Sequence, residues 1–211
     1  YCNRNYINST YKILHCNNCN QDLFVIDEVE KECPGCKQEI SGQTKVVNTA
    51  QLDHFFPKDS YPLFAVSFYN LIPSCYSCNH VKSNKDLEYS PYDTSFPFDD
   101  VKFTYIPKSV NEIKIKIVSY DINFENGIRD LGIEELYQSH IDVVNELIWK
   151  KEVYTDSYRD GLSKILDQTN LALNKAEVNR FITGYYTDKE NYGKRPLSKM
   201  VTDISKEIGL V

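Results

Sequence analysis

Short stretches of strand character separated by polar loops mark the first half of the chain. Residues 23–29 and 44–52 are rich in apolar and β-branched residues, which predicts two strands. A loop around Pro57 comes next and leads into an apolar run over residues 63–71. A helix is then predicted from Ser74 or Cys75 to about Lys85.

A clearer alternation begins near residue 101, after an irregular connection marked by Pro91 and Pro97. Residues 101–106 alternate between apolar and polar, and the next apolar positions fall on one face of a period-two pattern at Ile113, Ile115 and Ile117. This pattern predicts a β-hairpin that turns around residues 107–111.

Helical spacing takes over from Ile133. Residues at three- and four-residue intervals form one stripe: Ile133, Tyr137, Val144, Leu147, Ile148 and Lys151. Further helices are predicted over residues 155–168, 175–183 and 196–208, with Pro196 in the first turn of the last one. The sequence therefore predicts an α+β fold with a mainly helical C-terminal region.

The net charge of −6 argues against strong unaided binding of nucleic acid, because phosphate neutralisation by Lys and Arg usually supplies that affinity. The chain must concentrate its basic residues locally or rely on a partner. Aromatic residues make up 13% of the chain but are scattered along it, which favours packing over base stacking. No apolar run approaches the roughly 20 residues of a membrane span, so we expect no membrane association.

Cysteines give the strongest chemical signal in this chain. Six of the seven form C-x-x-C pairs, which are typical of structural zinc sites and not of disulfide frameworks. The pairs are Cys16/Cys19, Cys33/Cys36 and Cys75/Cys78. A reducing compartment, the cytoplasm, fits this usage.

Two allocations of zinc ligands are open. In the first, Cys16, Cys19, Cys33 and Cys36 form one zinc ribbon, and Cys75 and Cys78 share a second zinc with Cys2 and a cysteine located upstream of Tyr1. In the second, Cys33 and Cys36 join Cys75 and Cys78. The first is favoured because it accounts for Cys2 and for the odd number of cysteines.

The segment from Leu52 to Lys85 carries the groups that phosphodiester hydrolysis needs. Asp53 offers a metal ligand next to His54, a candidate base, and Asn79 offers an amide oxygen as second ligand. Asn70 can hold a loop or the histidine. Lysines that can reach phosphates follow: Lys58, Lys82 and Lys85.

This arrangement, Asp-His followed by Asn and then by C-x-x-C-Asn-x-x-Lys, resembles the HNH endonucleases of the ββα-metal fold. The resemblance implies Asp53 and Asn79 as ligands of Mg²⁺ or another divalent ion, His54 as general base and Asn70 as orienting residue. The third signature position is Asn79 instead of His, a variation that many HNH enzymes show, and His80, which follows immediately, is the alternative ligand.

Residues 1–8 and 51–95 also resemble bacterial HNH proteins that accompany an ATPase in anti-phage and retron-type systems. The resemblance implies an HNH domain over residues 1–95 with a zinc-ribbon insertion at about 9–45, and a C-terminal region over 96–211 that docks a partner ATPase. The expected function is DNA cleavage in anti-phage defence. The alternative is an inactive, zinc-stabilised subunit that binds DNA or protein.

Overall fold

The computed structural model describes residues 2–4, 10–25, 32–40, 42, 44–94, 100–109, 112–168 and 174–211. In this part of the chain the fold is mixed α+β, as predicted, with three small antiparallel sheets and seven α-helices. The longest of these helices has 13 residues, and none has the length and apolar character to cross a bilayer.

The first sheet contains three strands in the order β2-β1-β3. They are β1 (Thr10–His15), β2 (Asp22–Val25) and β3 (Thr44–Asn48). The predicted strand over residues 23–29 is confirmed through Val25, and its remainder lies outside the described residues. The C-x-x-C pairs of the predicted ribbon lie in turns next to this sheet.

The second sheet is a hairpin of β4 (Gln51–His54) and β5 (Leu71–Ser74), followed by helix α1 (Tyr76–Lys82). The prediction of one strand over residues 44–52 was wrong, because that segment divides between β3 and β4. The side-chain oxygen of Asn48 accepts a 2.8 Å hydrogen bond from the amide of Ala50, and this local turn ends β3. Helix α1 ends before Lys85, since Ser83 adopts a positive φ of 45°.

The C-terminal half begins with a hairpin of β6 (Lys102–Ser109) and β7 (Glu112–Val118), as predicted. Strand β6 continues through Pro107 and Ser109, which pair with Ile113 and Glu112, although the prediction had placed residues 107–111 in the turn. Six helices follow: α2 (Ile122–Asp130), α3 (Ile133–Tyr137), α4 (Ile141–Val153), α5 (Asp156–Asp167), α6 (Lys175–Thr183) and α7 (Ser198–Glu207). A 3-10 turn over Gln138–His140 separates α3 from α4. Pro196 lies before α7, contrary to prediction, because Leu197 with a φ of 66° is the N-cap.

One hydrophobic core joins the two halves of the chain. It includes Cys2 and Cys78 from the first half, together with buried residues of β6, β7, α3, α4 and α7. Helix α7 is fixed to β6 by Asp203, whose Oδ2 accepts a 2.9 Å hydrogen bond from the amide of Phe103. The amide of Leu197 donates a 2.7 Å hydrogen bond to the carbonyl of Asn3, so the N-terminal segment packs on the C-terminal region.

Candidate active site and metal centres

The β4–β5 hairpin positions the Asp-His pair at its open end. In the antiparallel register Asp53 lies opposite Ile72, and His54, the last residue of β4, lies opposite Leu71. Side chains alternate along a strand, so Gln51 and Asp53 share one face. Asp53 is buried, with 4% of its surface exposed, and that face is covered by α1.

The ring of His54 is held by the loop that joins the two strands. Its Nε2 lies 3.0 Å from the carbonyl oxygen of Ala65. A carbonyl oxygen accepts hydrogen bonds and does not donate them, so Nε2 carries the proton of the neutral ring. The other ring nitrogen, Nδ1, then has the lone pair and can accept a proton.

Asn70 fixes the shape of this loop from inside. Its Oδ1 accepts a 2.7 Å hydrogen bond from the amide of Phe56, and its Nδ2 donates to the carbonyls of Phe56 and Phe64 at 3.1 and 3.0 Å. The side chain is buried and uses both ends of its amide. Asn70 therefore holds the backbone next to Ala65, the residue that contacts His54.

Helix α1 contacts the Asp53 face of β4 through two side chains one turn apart. Nδ2 of Asn79 donates a 2.8 Å hydrogen bond to Oε1 of Gln51. Nζ of Lys82 donates a 2.6 Å hydrogen bond to the carbonyl oxygen of His54 and lies 3.5 Å from Oδ2 of Asp53. The sequence did not single out Gln51, whose role depends on this contact between strand and helix.

The lysines predicted to bind phosphate occupy different environments. Lys82 is completely buried against Asp53, so its ammonium faces the carboxylate and not the solvent. Nζ of Lys85 donates a hydrogen bond to the carbonyl of Asp130, and Lys58 is exposed. His80, the alternative ligand, is exposed and stacks on the ring of Tyr76 with the ring centroids 5.7 Å apart.

Four thiols gather beside the first sheet, as in the first of the two predicted allocations. Sγ of Cys16 lies 3.8 Å from Sγ of Cys36, and Sγ of Cys19 lies 3.6 Å from Sγ of Cys33. Tetrahedral zinc with Zn–S bonds of about 2.3 Å gives S–S separations of about 3.8 Å. The cluster can therefore hold one zinc ion.

Both halves of this cluster use the same backbone turn. The amide of Asn20 donates to the carbonyl of Cys16, and the amide of Lys37 donates to that of Cys33, each at 2.8 Å. Asn20 and Lys37 both have a φ of 58°. The Cys36 amide lowers the pKa of the Cys33 thiol to about 7, which favours the thiolate that zinc requires.

The second group of thiols joins Cys2 to Cys75 and Cys78, with the sulfur atoms within 4.8 Å of one another. The alternative allocation, which placed Cys33 and Cys36 with Cys75 and Cys78, was wrong. A hydrogen bond from Cys78 lowers the pKa of Cys2 to about 5, and the same contact raises the pKa of Cys78. This second group can also hold zinc, and it ties the N-terminal segment to the start of α1.

Comparison with known proteins identifies a distant relative. A stretch of 69 residues, 33% of this chain, is 32% identical to the Septu protein PtuB of Bacillus thuringiensis. The chain matches 26% of that protein, so the similarity spans about a quarter of its length. No family model and no solved structure matches the chain.

Proposed function

We propose that this chain is a metal-dependent endonuclease that hydrolyses phosphodiester bonds in DNA. The observation that carries the proposal is the hydrogen bond from Nε2 of His54 to the carbonyl oxygen of Ala65. It fixes the tautomer in which Nδ1 is a proton acceptor, which is what a general base needs. The buried carboxylate of Asp53 precedes His54 directly. This Asp-His order is the one that resembles HNH enzymes.

Side-chain oxygens on the face of β4 that α1 covers fit a hard divalent cation. Nδ2 of Asn79 is used by Gln51, so the oxygen of that amide is the end left for a ligand. Asp53 supplies carboxylate oxygen, and Mg²⁺ is bound in proteins by one or two such side chains together with water. When bound, the cation supplies positive charge for the scissile phosphate and the leaving oxygen.

The protein residues have separate roles in the proposed reaction. Nδ1 of His54 takes a proton from the attacking water, while Nε2 stays bonded to Ala65. Asn70 keeps the loop in the shape that presents the Ala65 carbonyl. Lys82 is assigned to holding Asp53 and the end of β4, since its ammonium is buried.

Replacement of His54 tests the proposal directly. His54→Ala should lower the rate of Mg²⁺-dependent plasmid cleavage by about 10²- to 10⁴-fold, the usual contribution of a general base. His15→Ala is the matched control, because His15 is exposed and bonds Asp22 next to the zinc cluster. Unchanged zinc content and circular dichroism would show that both variants fold. Full cleavage by His54→Ala would refute the assignment.

The tautomer can be measured without any cleavage assay. Nitrogen-15 NMR of histidine-labelled protein at alkaline pH should show a protonated Nε2 and an unprotonated Nδ1 for His54. The opposite tautomer would remove the proton acceptor on which the proposal depends, whatever the activity of the preparation.

A zinc-stabilised subunit without catalysis is the second candidate. It is favoured by the contact between Lys82 and Asp53, which are both buried and can form a purely structural ion pair. The net charge of −6 also favours it, because unaided binding to duplex DNA is then weak. Metal-dependent cleavage by purified chain, lost in His54→Ala, would exclude this candidate.

We also propose that the nuclease acts in anti-phage defence together with an ATPase subunit. The similarity to the Septu protein PtuB and the resemblance to HNH proteins that accompany an ATPase support this role. Cells that carry the chain with its neighbouring genes should resist phage, and His54→Ala should restore plaque formation. Resistance that does not change in His54→Ala would separate the defence role from cleavage.

A further inference from the structure

Exposed aromatic side chains are frequent between the start of β4 and residue 94, and most of them lie in the loop between β4 and β5. Ten large apolar side chains are exposed between residues 51 and 94, and seven of them are aromatic. Within residues 51–94 the most exposed aromatic side chains are Tyr69 at 75% and Phe68 at 72%. The sequence pattern favoured packing for the aromatic residues, and these members do not follow that expectation.

Six of these seven exposed rings form two clusters. Phe56, Tyr61 and Phe64 are in mutual contact, with ring centroids 5.4 to 6.4 Å apart. Phe68, Tyr69 and Tyr92 form the second cluster, at 5.6 to 6.1 Å. Rings that support each other in this way lose little conformational freedom when another flat group stacks on them.

Both clusters are attached to the strand end that carries His54. Ala65, which follows Phe64 directly, holds Nε2 of His54 through its carbonyl oxygen. The hydroxyl of Tyr92 donates a 3.1 Å hydrogen bond to the carbonyl of Leu71, and Leu71 pairs with His54 across the hairpin. Both clusters are therefore attached to the backbone that surrounds the candidate base.

Charge decides which nucleic acid this surface fits. Residues 51–94 contain three Lys and no Arg, against five Asp and Glu, and Lys82 is buried. Phosphate neutralisation, which supplies most of the affinity for duplex DNA, is therefore weak here. Stacking on aromatic rings needs no charge, but it needs bases that are not already stacked inside a duplex.

We propose that the two ring clusters bind unpaired nucleotides by stacking, so that the strand presented to His54 is single-stranded. The proposal rests on the nuclease function for its catalytic consequence, but the binding itself does not depend on cleavage. Stacking then supplies the affinity for the nucleic acid, which explains how a chain with a net negative charge can bind one.

Fluorescence anisotropy with two probes tests the proposal. The probes are a labelled 20-nucleotide DNA strand and the same strand annealed to its complement, added to the zinc-loaded chain without Mg²⁺. The single strand should bind at least tenfold more tightly, and its affinity should fall only weakly with salt. Equal or tighter binding of the duplex would overturn the proposal.

Matched variants identify the source of the affinity. Tyr69→Ala should weaken single-strand binding by about five- to a hundredfold, the usual effect of losing one base stack, and Tyr69→Phe should bind as the unmodified chain does. Leu63→Ala is the aliphatic control, since Leu63 is 91% exposed on the same loop and has no ring. Unchanged binding in Tyr69→Ala would overturn the proposal.

Three further outcomes distinguish the stacking proposal from protein docking and from the proposed nuclease function. If neither probe binds, while Tyr69→Ala and Leu63→Ala both release a co-purifying protein, the loop is a protein-docking surface and the stacking proposal is wrong. If Tyr69 controls single-strand binding but no Mg²⁺-dependent cleavage occurs, stacking stands and the nuclease function fails. If Tyr69→Ala cleaves DNA and binds the single strand with normal affinity, the nuclease function stands and stacking fails.

Discussion

Oε1 of Gln51 accepts a 2.8 Å hydrogen bond from Nδ2 of Asn79, and this contact joins strand β4 to helix α1. In a side-chain amide the nitrogen and the oxygen point to opposite sides. By accepting from Nδ2, Gln51 therefore orients the side-chain oxygen of Asn79. Partners that orient ligands in this way are important for metal binding, although they do not touch the metal themselves.

Removal of this partner should weaken metal binding. Gln51→Ala should lower Mn²⁺ affinity, measured by electron paramagnetic resonance, by about 10- to 100-fold, and shift the metal dependence of cleavage in the same direction. Gln51→Glu keeps an acceptor for Asn79 and should retain orientation. Gln38→Ala, on the exposed surface of the ribbon, is the matched control. Equal Mn²⁺ affinity in Gln51→Ala and the unmodified chain would contradict the role.

The three hydrogen bonds of Asn70 give a second prediction. Asn70→Asp keeps the acceptor for the Phe56 amide but cannot donate to the carbonyls of Phe56 and Phe64. We therefore expect Asn70→Asp to loosen the loop almost as much as Asn70→Ala does. Hydrogen exchange at the amides of residues 55–70 should accelerate in both variants. Native-like protection in Asn70→Asp would show that the two donated bonds contribute little.

The sequence predicted what depends on local pattern and motif order. Helix α6 has the predicted bounds because its helical spacing is flanked by strong caps, with Asn174 and Glu177 in a capping box and Gly184 at the C-cap. The grouping of Cys2 with Cys75 and Cys78 followed from counting cysteines. Both inferences use residue types, helix caps and paired cysteines, that have the same structural role in most proteins.

Contacts between distant parts of the chain were not predictable in the same way. Lys82 was expected to reach phosphates, as one of the lysines that follow the Asp-His pair in the segment from Leu52 to Lys85. Its burial depends on β4 packing against α1, and no local pattern encodes that contact. The ring clusters are a second example of such a contact, because Tyr92 packs against Phe68 and Tyr69 only in the folded chain. Sequence spacing alone made these aromatic residues look scattered.

The two thiol groups should lose zinc independently. Cys33→Ser should remove about one zinc ion per chain from the ribbon, while Cys2→Ser should remove zinc from the group that includes Cys78. Metal analysis by mass spectrometry measures both. Because Cys2 and Cys78 belong to the central core, Cys2→Ser should also lower the melting temperature more than Cys33→Ser does. Unchanged zinc content in Cys2→Ser would contradict this grouping.

The buried pair of Lys82 and Asp53 leads to a prediction about stability. Nζ of Lys82 contacts both Oδ2 of Asp53 and the carbonyl oxygen of His54. Lys82→Met keeps most of the volume but leaves the carboxylate without this partner in a buried site. Breaking a buried pair in this way costs about 3–5 kcal/mol, which urea unfolding monitored by circular dichroism can measure.

Two controls separate the charge from the packing in that experiment. Lys85→Met removes a lysine whose ammonium contacts one exposed carbonyl, and we expect less than about 1 kcal/mol. In the double variant Lys82→Met/Asp53→Asn the buried carboxylate is absent, so part of the lost stability should return and the two changes should not be additive. If the two losses were simply additive, Lys82 would stabilise the site through the His54 carbonyl, and the ion pair with Asp53 would contribute little.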